Sequence, residues 1–351
     1  MKLKGIGFGI ADRITAFLDS QQAPVQSDTP KKMVIRKELL QIPGLGVKKT
    51  QELIDAGCKS LKDLHSRKFL PMLSRKQQVY FKYMDHLNQP ITRAEAEAVA
   101  QFMRDNLRSA HEVILAGDYR RGLKSFPQLK IVLLHPNHVN VPIPAPPNSP
   151  NPPRPPRLLS RSPAVRQRYL SVANKLPNPL HGDAVPNLQN RGLICETMKV
   201  GDRTWDGIIR IPELVESARK ETASWGDRHE RIMAIAQMKG AFRQMSIVLT
   251  PQKSRAATML AMTGDPEFVK YMRYKALSLE LYLDEFGLWR WHSRSSDVDP
   301  PSAEKTDQNM DGYWELVQVS TEEDIFSVLG MEYVPPARRT FGFLKVNTKR
   351  P

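Results

Sequence analysis

The sequence predicts an α+β protein built from several modules, and three observations carry that prediction. Helical patterning fills most of residues 34–107, strand-like apolar runs alternate with helices from His111 onward, and a proline-crowded stretch, Val141 to Arg157, interrupts the second region. A chain of 351 residues is long enough for two or three modules with cores of their own. Hydrophobic residues at 40% and charged residues at 25% match ordinary globular composition. Lys plus Arg is 52 against 37 Asp plus Glu, a formal charge of +15. Such a surplus favours a polyanion through counterion release from phosphates, with a ribosomal or membrane-surface protein as the alternative. Two cysteines, Cys58 and Cys195, exclude a disulfide scaffold and a cysteine-based zinc module, and read as buried thiols in a reducing compartment. No apolar run approaches the roughly 20 residues of a membrane span, and Met1 to Gly5 lacks a signal-peptide core. No membrane association is expected.

In chain order, residues 1–20 read as a loop and an amphipathic helix with Ile10, Ile14, Phe17 and Leu18 on one face. Residues 21–30 are a linker by composition. Helices follow through 107, punctuated by Pro43, Gly44, Gly46, Gly57, Pro71 and Pro90. Val113–Ala116 and Leu129–Leu134 read as buried strands around the turn Gly117–Gly122. The Val141–Arg157 stretch holds Pro at 142, 144, 146, 147, 150, 152, 153, 155 and 156 and should be an exposed polyproline II spacer. Its Pro-x-x-Pro pieces beside Arg154 and Arg157 suit an SH3 or WW groove or a repair-complex protein; a tolerated loop insertion is the plainer reading. Ordered structure is expected again near Leu193. Trp205–Ile211 and Gln244–Leu249 read as strands, Glu213–Lys220 and Arg228–Met238 as helices. A helix over Pro266–Leu279, a strand at Leu281–Leu283, a polar loop over Ser293–Asp311 and a capped helix from Thr321 to its Gly330 stop complete the chain.

The chemistry starts at Leu40 to Ala56, read as helix, Ile42-Pro-Gly-Leu-Gly46, then helix. Gly44 and Gly46 let the backbone bend and approach another surface closely. The second helix opens at Val47-Lys48-Lys49, so its free amides point at the loop and offer a phosphate site. Leu45 at the loop apex completes the motif. A loop of this kind touches backbone and not base edges, giving binding without sequence preference. A second copy, Leu3-Lys4-Gly5-Ile6-Gly7, precedes the helix from Gly9 to Leu18, so Gly5 and Gly7 join the candidate DNA-binding residues. Two plain helix-turn-helix corners are the structural alternative.

The order and wording of these motifs resemble the family X DNA polymerases. Gly57-Cys-Lys-Ser-Leu-Lys-Asp-Leu64, Ser74–Tyr83, Pro90–Glu95, Gly117-Asp-Tyr-Arg-Arg-Gly122 and Leu134-His-Pro136 follow the family's patterns in sequence. So do Thr263-Gly264, Phe268, Met272-Arg273, Lys275-Ala-Leu277, Asp284–Leu288, Glu323–Phe326 and Leu329–Pro336. The resemblance covers most of Met1 to Arg339 outside the proline-rich insert and the polar loop. It implies a remnant of a lyase-type hairpin domain (1–20), a helical DNA-binding domain with the second hairpin (31–107), a nucleotidyltransferase palm (108–259, insert about 137–190) and a small C-terminal lobe (260–351). It further implies a K⁺ or Na⁺ ion on the backbone carbonyls of Leu40, Ile42 and Leu45, and a nuclear location before a mitochondrial one.

The resemblance also implies nucleotidyl transfer through three palm carboxylates holding two Mg²⁺ ions, hard cations that need anionic oxygen. Residue by residue, those three positions fall on Gln128, Lys130 and Ser246. An ammonium among the ligands repels the ion it should hold, so no divalent metal is expected there, with Mg²⁺ the ion if catalysis persists. The nucleotide pocket departs in parallel: Asp118, Phe126-Pro127, Ala261-Met262 and Val269 replace its serine, Ser-Gly, aromatic floor and asparagine. Gly117, Arg121, Thr263, Gly264 and Arg273 remain as remnants of it. Arg13 stands where the lyase's Schiff-base lysine would lie, and a guanidinium cannot replace that amine. Asp297-Val-Asp299 spells a D-x-D pair in a polar loop, without the third acid. The expectation is a DNA-binding homologue without catalysis, acting near gaps or ends; the alternatives are an active repair polymerase with atypical ligands and a protein-interaction module acting through the insert.

Overall fold

The computed structural model describes residues 30–147, 178–217, 220–293, 312–340 and 342. The first hairpin with Gly5 and Gly7, Arg13, the Asp297–Asp299 pair and the Arg154 and Arg157 region lie outside them. The chain divides into two compact units, 1–84 and 85–351.

In the first unit, α1 (Pro30–Leu40) and α2 (Val47–Asp55) are joined by the Gly-rich turn. Helix α1 begins inside the expected linker, because proline is well suited to a first helical turn, where its missing N–H has no intrahelical partner. Helix α3 (Arg75–Lys82) is opened by a reciprocal capping box between Ser74 and Gln77. Leu39, Ile42, Leu45, Leu53 and Leu64 close the core, each about 1.5–3 kcal/mol of burial.

The second unit opens with the two-residue strand β1 (Ile91–Thr92) and α4 (Arg93–Asn106), capped by Thr92 and Glu95. Read from sequence with the helical domain, α4 instead buries Ala96, Val99, Ala100 and Met103 against the palm sheet. Strands β2 (Glu112–Leu115), β3 (Ser125–Phe126) and β4 (Leu129–Leu134) follow, with β3 paired to β1. After the insert come the short helix α5 (Val185–Asn190), β5 (Ile194–Gly201) and β6 (Thr204–Arg210). The insert expected to reach 190 therefore gives way to core earlier. Asn178 caps the turn Pro179–Ala184, and Leu180, Val185 and Leu188 are buried. Residues Glu213–Lys220, expected helical, form β7 (Glu213–Ser217) and open β8 (Lys220–Ser224), an antiparallel pair in register Val215↔Thr222. The segment has no repeating apolar stripe at helical spacing, and β-branched residues favour the pleated pairing. Helix α6 (Arg228–Ala236) and β9 (Phe242–Thr250) complete the palm.

The palm sheet runs β2-β4-β9-β6-β5, with β4 and β9 parallel and the other pairs antiparallel. Period-two alternation splits its residues between two faces. Leu129, Ile131, Leu133, Met245, Ile247 and Leu249 pack with α4, leaving Lys130 and Ser246 on the opposite face.

The C-terminal lobe holds α7 (Arg255–Thr263), α8 (Pro266–Leu277), β10 (Leu281–Leu283), β11 (Leu288–Ser293), β12 (Gly312–Leu316) and α9 (Glu322–Val328). Its sheet order is β10-β11-β12. The last two strands flank the expected polar loop and were not foreseen. Among the described residues no helix is long and apolar enough to cross a membrane. Cys58 is buried as expected, whereas Cys195 is only half-buried on β5.

Candidate functional site

The hairpin is built by backbone geometry. Gly44 takes φ +80°, a left-handed conformation that L side chains rarely adopt, which is why glycine stands there. The Leu45 amide donates to the Ile42 carbonyl at 3.0 Å, and the Gln77 amide donates to the Gly44 carbonyl at 2.8 Å, fixing the loop against α3. Gly46 is the N-cap of α2 and supplies no side-chain cap. A Cβ on Gly46 would meet no described residue within 4 Å, so the start of α2 is open on that side. Lys48 is exposed beside it, whereas Lys49 is engaged with Glu52 at 2.9 Å. Open amides at a helix start, the positive end of the dipole and a cation together suit one phosphate. Of the carbonyls on Leu40, Ile42 and Leu45, the Ile42 oxygen already accepts one hydrogen bond and keeps one lone pair for a cation.

In the palm, Lys130 on β4 pairs in register with Ser246 on β9, and Ser246 pairs with Asp206 on β6. These three half-buried residues form one row across the sheet face turned away from α4. Gln128 sits half-buried one residue before β4. The Lys130 side chain lies across Gly117: a Cβ there would stand 2.9 Å from Lys130 Cδ. Gly117, at φ +67°, opens the turn Gly117–Gly122. Sequence reasoning missed Asp206, because its place beside Ser246 depends on strand register and not on a local motif.

The retained arginines are engaged within the protein. Arg121 is ion-paired with Asp118 and donates to the Thr263 carbonyl at 3.1 Å. Arg120 donates to Thr263 Oγ1 at 3.0 Å and pairs with Glu322, which also binds Arg339. Arg273 pairs with Glu285 at 3.6 Å. Gly264 follows α7 in tight quarters, 2.7 Å from Val269 Cγ2 to a would-be Cβ. The structure therefore gathers Gly117, Lys130, Arg121 and Thr263 into one locus, and Arg273 is held by its own carboxylate.

A pair of divalent cations does not fit this donor set. Gln128 and Ser246 offer neutral oxygens, Lys130 a positive charge, and Asp206 one carboxylate. Among the described residues no three His, Cys, Asp or Glu side chains group together to hold a metal ion.

Two family models match the chain on either side of the palm sheet. Residues 37–88 match the fingers domain of DNA polymerase lambda, and residues 258–340 the DNA polymerase beta thumb. The DNA nucleotidylexotransferase of Eulemur macaco is 24% identical over 300 residues, covering 84% of this chain and 50% of that protein. DNA polymerase lambda of Rattus norvegicus is 22% identical over 345 residues, covering 96% and 48%. The DNA nucleotidylexotransferase of Gallus gallus is 22% identical over 307 residues, covering 86% and 50%. The chain spans about half the length of these relatives. The fingers match encloses the Gly44–Gly46 hairpin, the thumb match encloses Thr263, Gly264 and Arg273, and the chain is a family X DNA polymerase-like protein.

Proposed function

We propose that this chain binds DNA backbone without catalysing nucleotidyl transfer, acting near gaps or ends in the nucleus. The observation that carries the reading is Lys130 lying across Gly117, in the row that should hold metal. An ammonium there favours a phosphate oxygen and opposes Mg²⁺. The hairpin supplies the second grip through the α2 amides and Lys48, and the Leu40, Ile42 and Leu45 carbonyls would hold a K⁺ or Na⁺ ion whose charge would favour a phosphate.

Gly46→Val separates grip from fold, since no described residue lies within 4 Å of the new Cβ. Fluorescence anisotropy on a one-nucleotide-gapped duplex should show intact folding and affinity reduced at least roughly tenfold, because a side chain now fills the space a phosphate needs. Unchanged affinity would remove the hairpin from the interface. Primer extension with Mg²⁺ on the same duplex should give no incorporation.

Asp206 supports a second reading, an active polymerase with an atypical ligand, since it is a carboxylate in the metal row. Incorporation that is abolished by Asp206→Asn and by chelation would establish that reading.

A further inference from the structure

The first part of the proline-rich segment lies within the described residues, and it is not free of the protein. Residues 141–147 read Val-Pro-Ile-Pro-Ala-Pro-Pro. Each proline fixes its own φ near about −65°, and each residue before a proline is pushed to extended backbone. The stretch is therefore biased to extended polyproline II backbone, which makes no hydrogen bonds within itself. Two carbonyls in and beside it find donors elsewhere. The Arg203 guanidinium donates to the Asn140 carbonyl at 2.7 Å, and the Trp314 indole N–H donates to the Ala145 carbonyl at 3.2 Å. Pro142, between them, is buried.

The indole that holds Ala145 stands in an aromatic cluster. Trp291 on β11 and Trp314 on β12 are register partners, so their rings project from one sheet face, 5.1 Å apart and inclined edge-to-face at 68°. Tyr282 on β10 lies 5.7 Å from Trp314 on that face. Gly312 leaves room for Trp291: a Cβ there would sit 2.7 Å from its ring. Arg203 also stacks over Phe286 at 5.1 Å, so the residue anchoring the segment's start is braced by the lobe. Aromatic rings with an indole N–H aimed at a carbonyl form the chemistry that reads polyproline helices, whose stiffness makes their ordering cheap.

We propose that the aromatic face of the C-terminal lobe is a polyproline-binding surface whose resident ligand is this chain's own Val141–Pro147. From sequence the segment reads first as a tolerated loop insertion and second as a ligand for an external groove; on this proposal its opening residues are read in cis. A proline-rich partner reaches the face only by displacing it.

The test uses the full chain with residues 141–147 replaced by Gly and Ser, titrated with a synthetic peptide of sequence Val141–Pro147 while tryptophan fluorescence is followed. The opened chain should bind the peptide saturably, and the unmodified chain at least tenfold more weakly because its own segment competes. Trp314→Phe in the opened chain should weaken binding several-fold, and a peptide with alanine for every proline should not bind. No saturable binding to the opened chain, or binding indifferent to Trp314→Phe and to the alanine peptide, overturns the proposal. Should the opened chain fail to fold, the milder Pro142→Gly, Pro144→Gly variant serves. Its Trp314 indole proton, assigned by its loss in Trp314→Phe, should exchange with solvent faster than in the unmodified chain, and an unchanged rate equally overturns the proposal.

Discussion

Asp284 is a buried carboxylate in the lobe's first sheet turn, and one oxygen carries all of its hydrogen bonds. The amides of Phe286 and Gly287 and the Trp289 indole donate to Oδ1 at 2.8, 2.9 and 3.1 Å. Those donors favour the ionised form, but burial, reinforced by Glu285 beside it, outweighs them and pushes the carboxyl up to about 7. A raised carboxyl titrates in the unfolded chain near its ordinary value and in the folded chain only near neutrality. Its contribution to stability is full below about pH 4 and declines as pH rises to about 7, by up to ~1.4 kcal/mol per pH unit. Asp284→Asn keeps an oxygen for the three donors and removes the ionisation. The stability difference between variant and parent should therefore grow in the variant's favour between pH 4.5 and 7.5, read from urea midpoints. Parallel curves would refute the assignment. At Lys130 the residue-scale expectation concerns DNA. Lys130→Asp should weaken binding and flatten the dependence of log K on log salt by about one, the signature of one lost phosphate contact. An unchanged slope would mean that the palm cleft does not touch DNA.

At the scale of elements, β6 shows how one glycine sets a strand's packing. Trp205 is fully buried and donates to Thr197 Oγ1 at 3.0 Å across to β5. A Cβ on Gly207 would stand 2.3 Å from the Glu196 carbonyl and 2.4 Å from the Trp205 ring. Backbone and a locked indole cannot yield cheaply, so Gly207→Ala should cost at least ~1–3 kcal/mol in chemical denaturation. A loss below about 0.5 kcal/mol, the level of an ordinary surface change, would show that β5 and β6 are not packed this way. Elements differ in how much of themselves the sequence displays. Strand β4 coincides with the run Leu129–Leu134, and the Gly44 turn was legible because positive φ demands glycine. Strands β11 and β12 were not, since their pairing spans the polar loop between them and neither is a continuous apolar run like β4. The palm locus was half legible. Positions Gln128, Lys130 and Ser246 followed from flanking motifs, but Asp206 joins them only through the register of three strands. The Glu322 network likewise joins residues 202 positions apart, a link no local pattern contains.

For the second unit as a whole, that network holds palm and C-terminal lobe together. Glu322, on α9 and buried, pairs with Arg120 from the Gly117–Gly122 turn and with Arg339. Arg339 is fully buried and also donates to the Val334 carbonyl at 2.8 Å, while its own carbonyl accepts the Asp265 amide at 3.2 Å. Arg120 adds Thr263 Oγ1, and Arg121 the Thr263 carbonyl, so the start of the lobe is held by the palm turn. One carboxylate between two guanidiniums is the weak point of such an arrangement, because desolvation has already been imposed on all three groups. Removing it leaves two largely desolvated cations facing each other, which typically costs ~3–5 kcal/mol, more than the net worth of the pairs themselves. Glu322→Ala should therefore lower stability by that order and split the unfolding of the unit, with lobe aromatics reporting a loss of structure before the palm sheet does. Glu322→Gln, which keeps two acceptor lone pairs but no charge, should fall between the two. A single transition in Glu322→Ala, shifted by less than about 1 kcal/mol, would show that apolar packing, and not this carboxylate, joins the lobe to the palm.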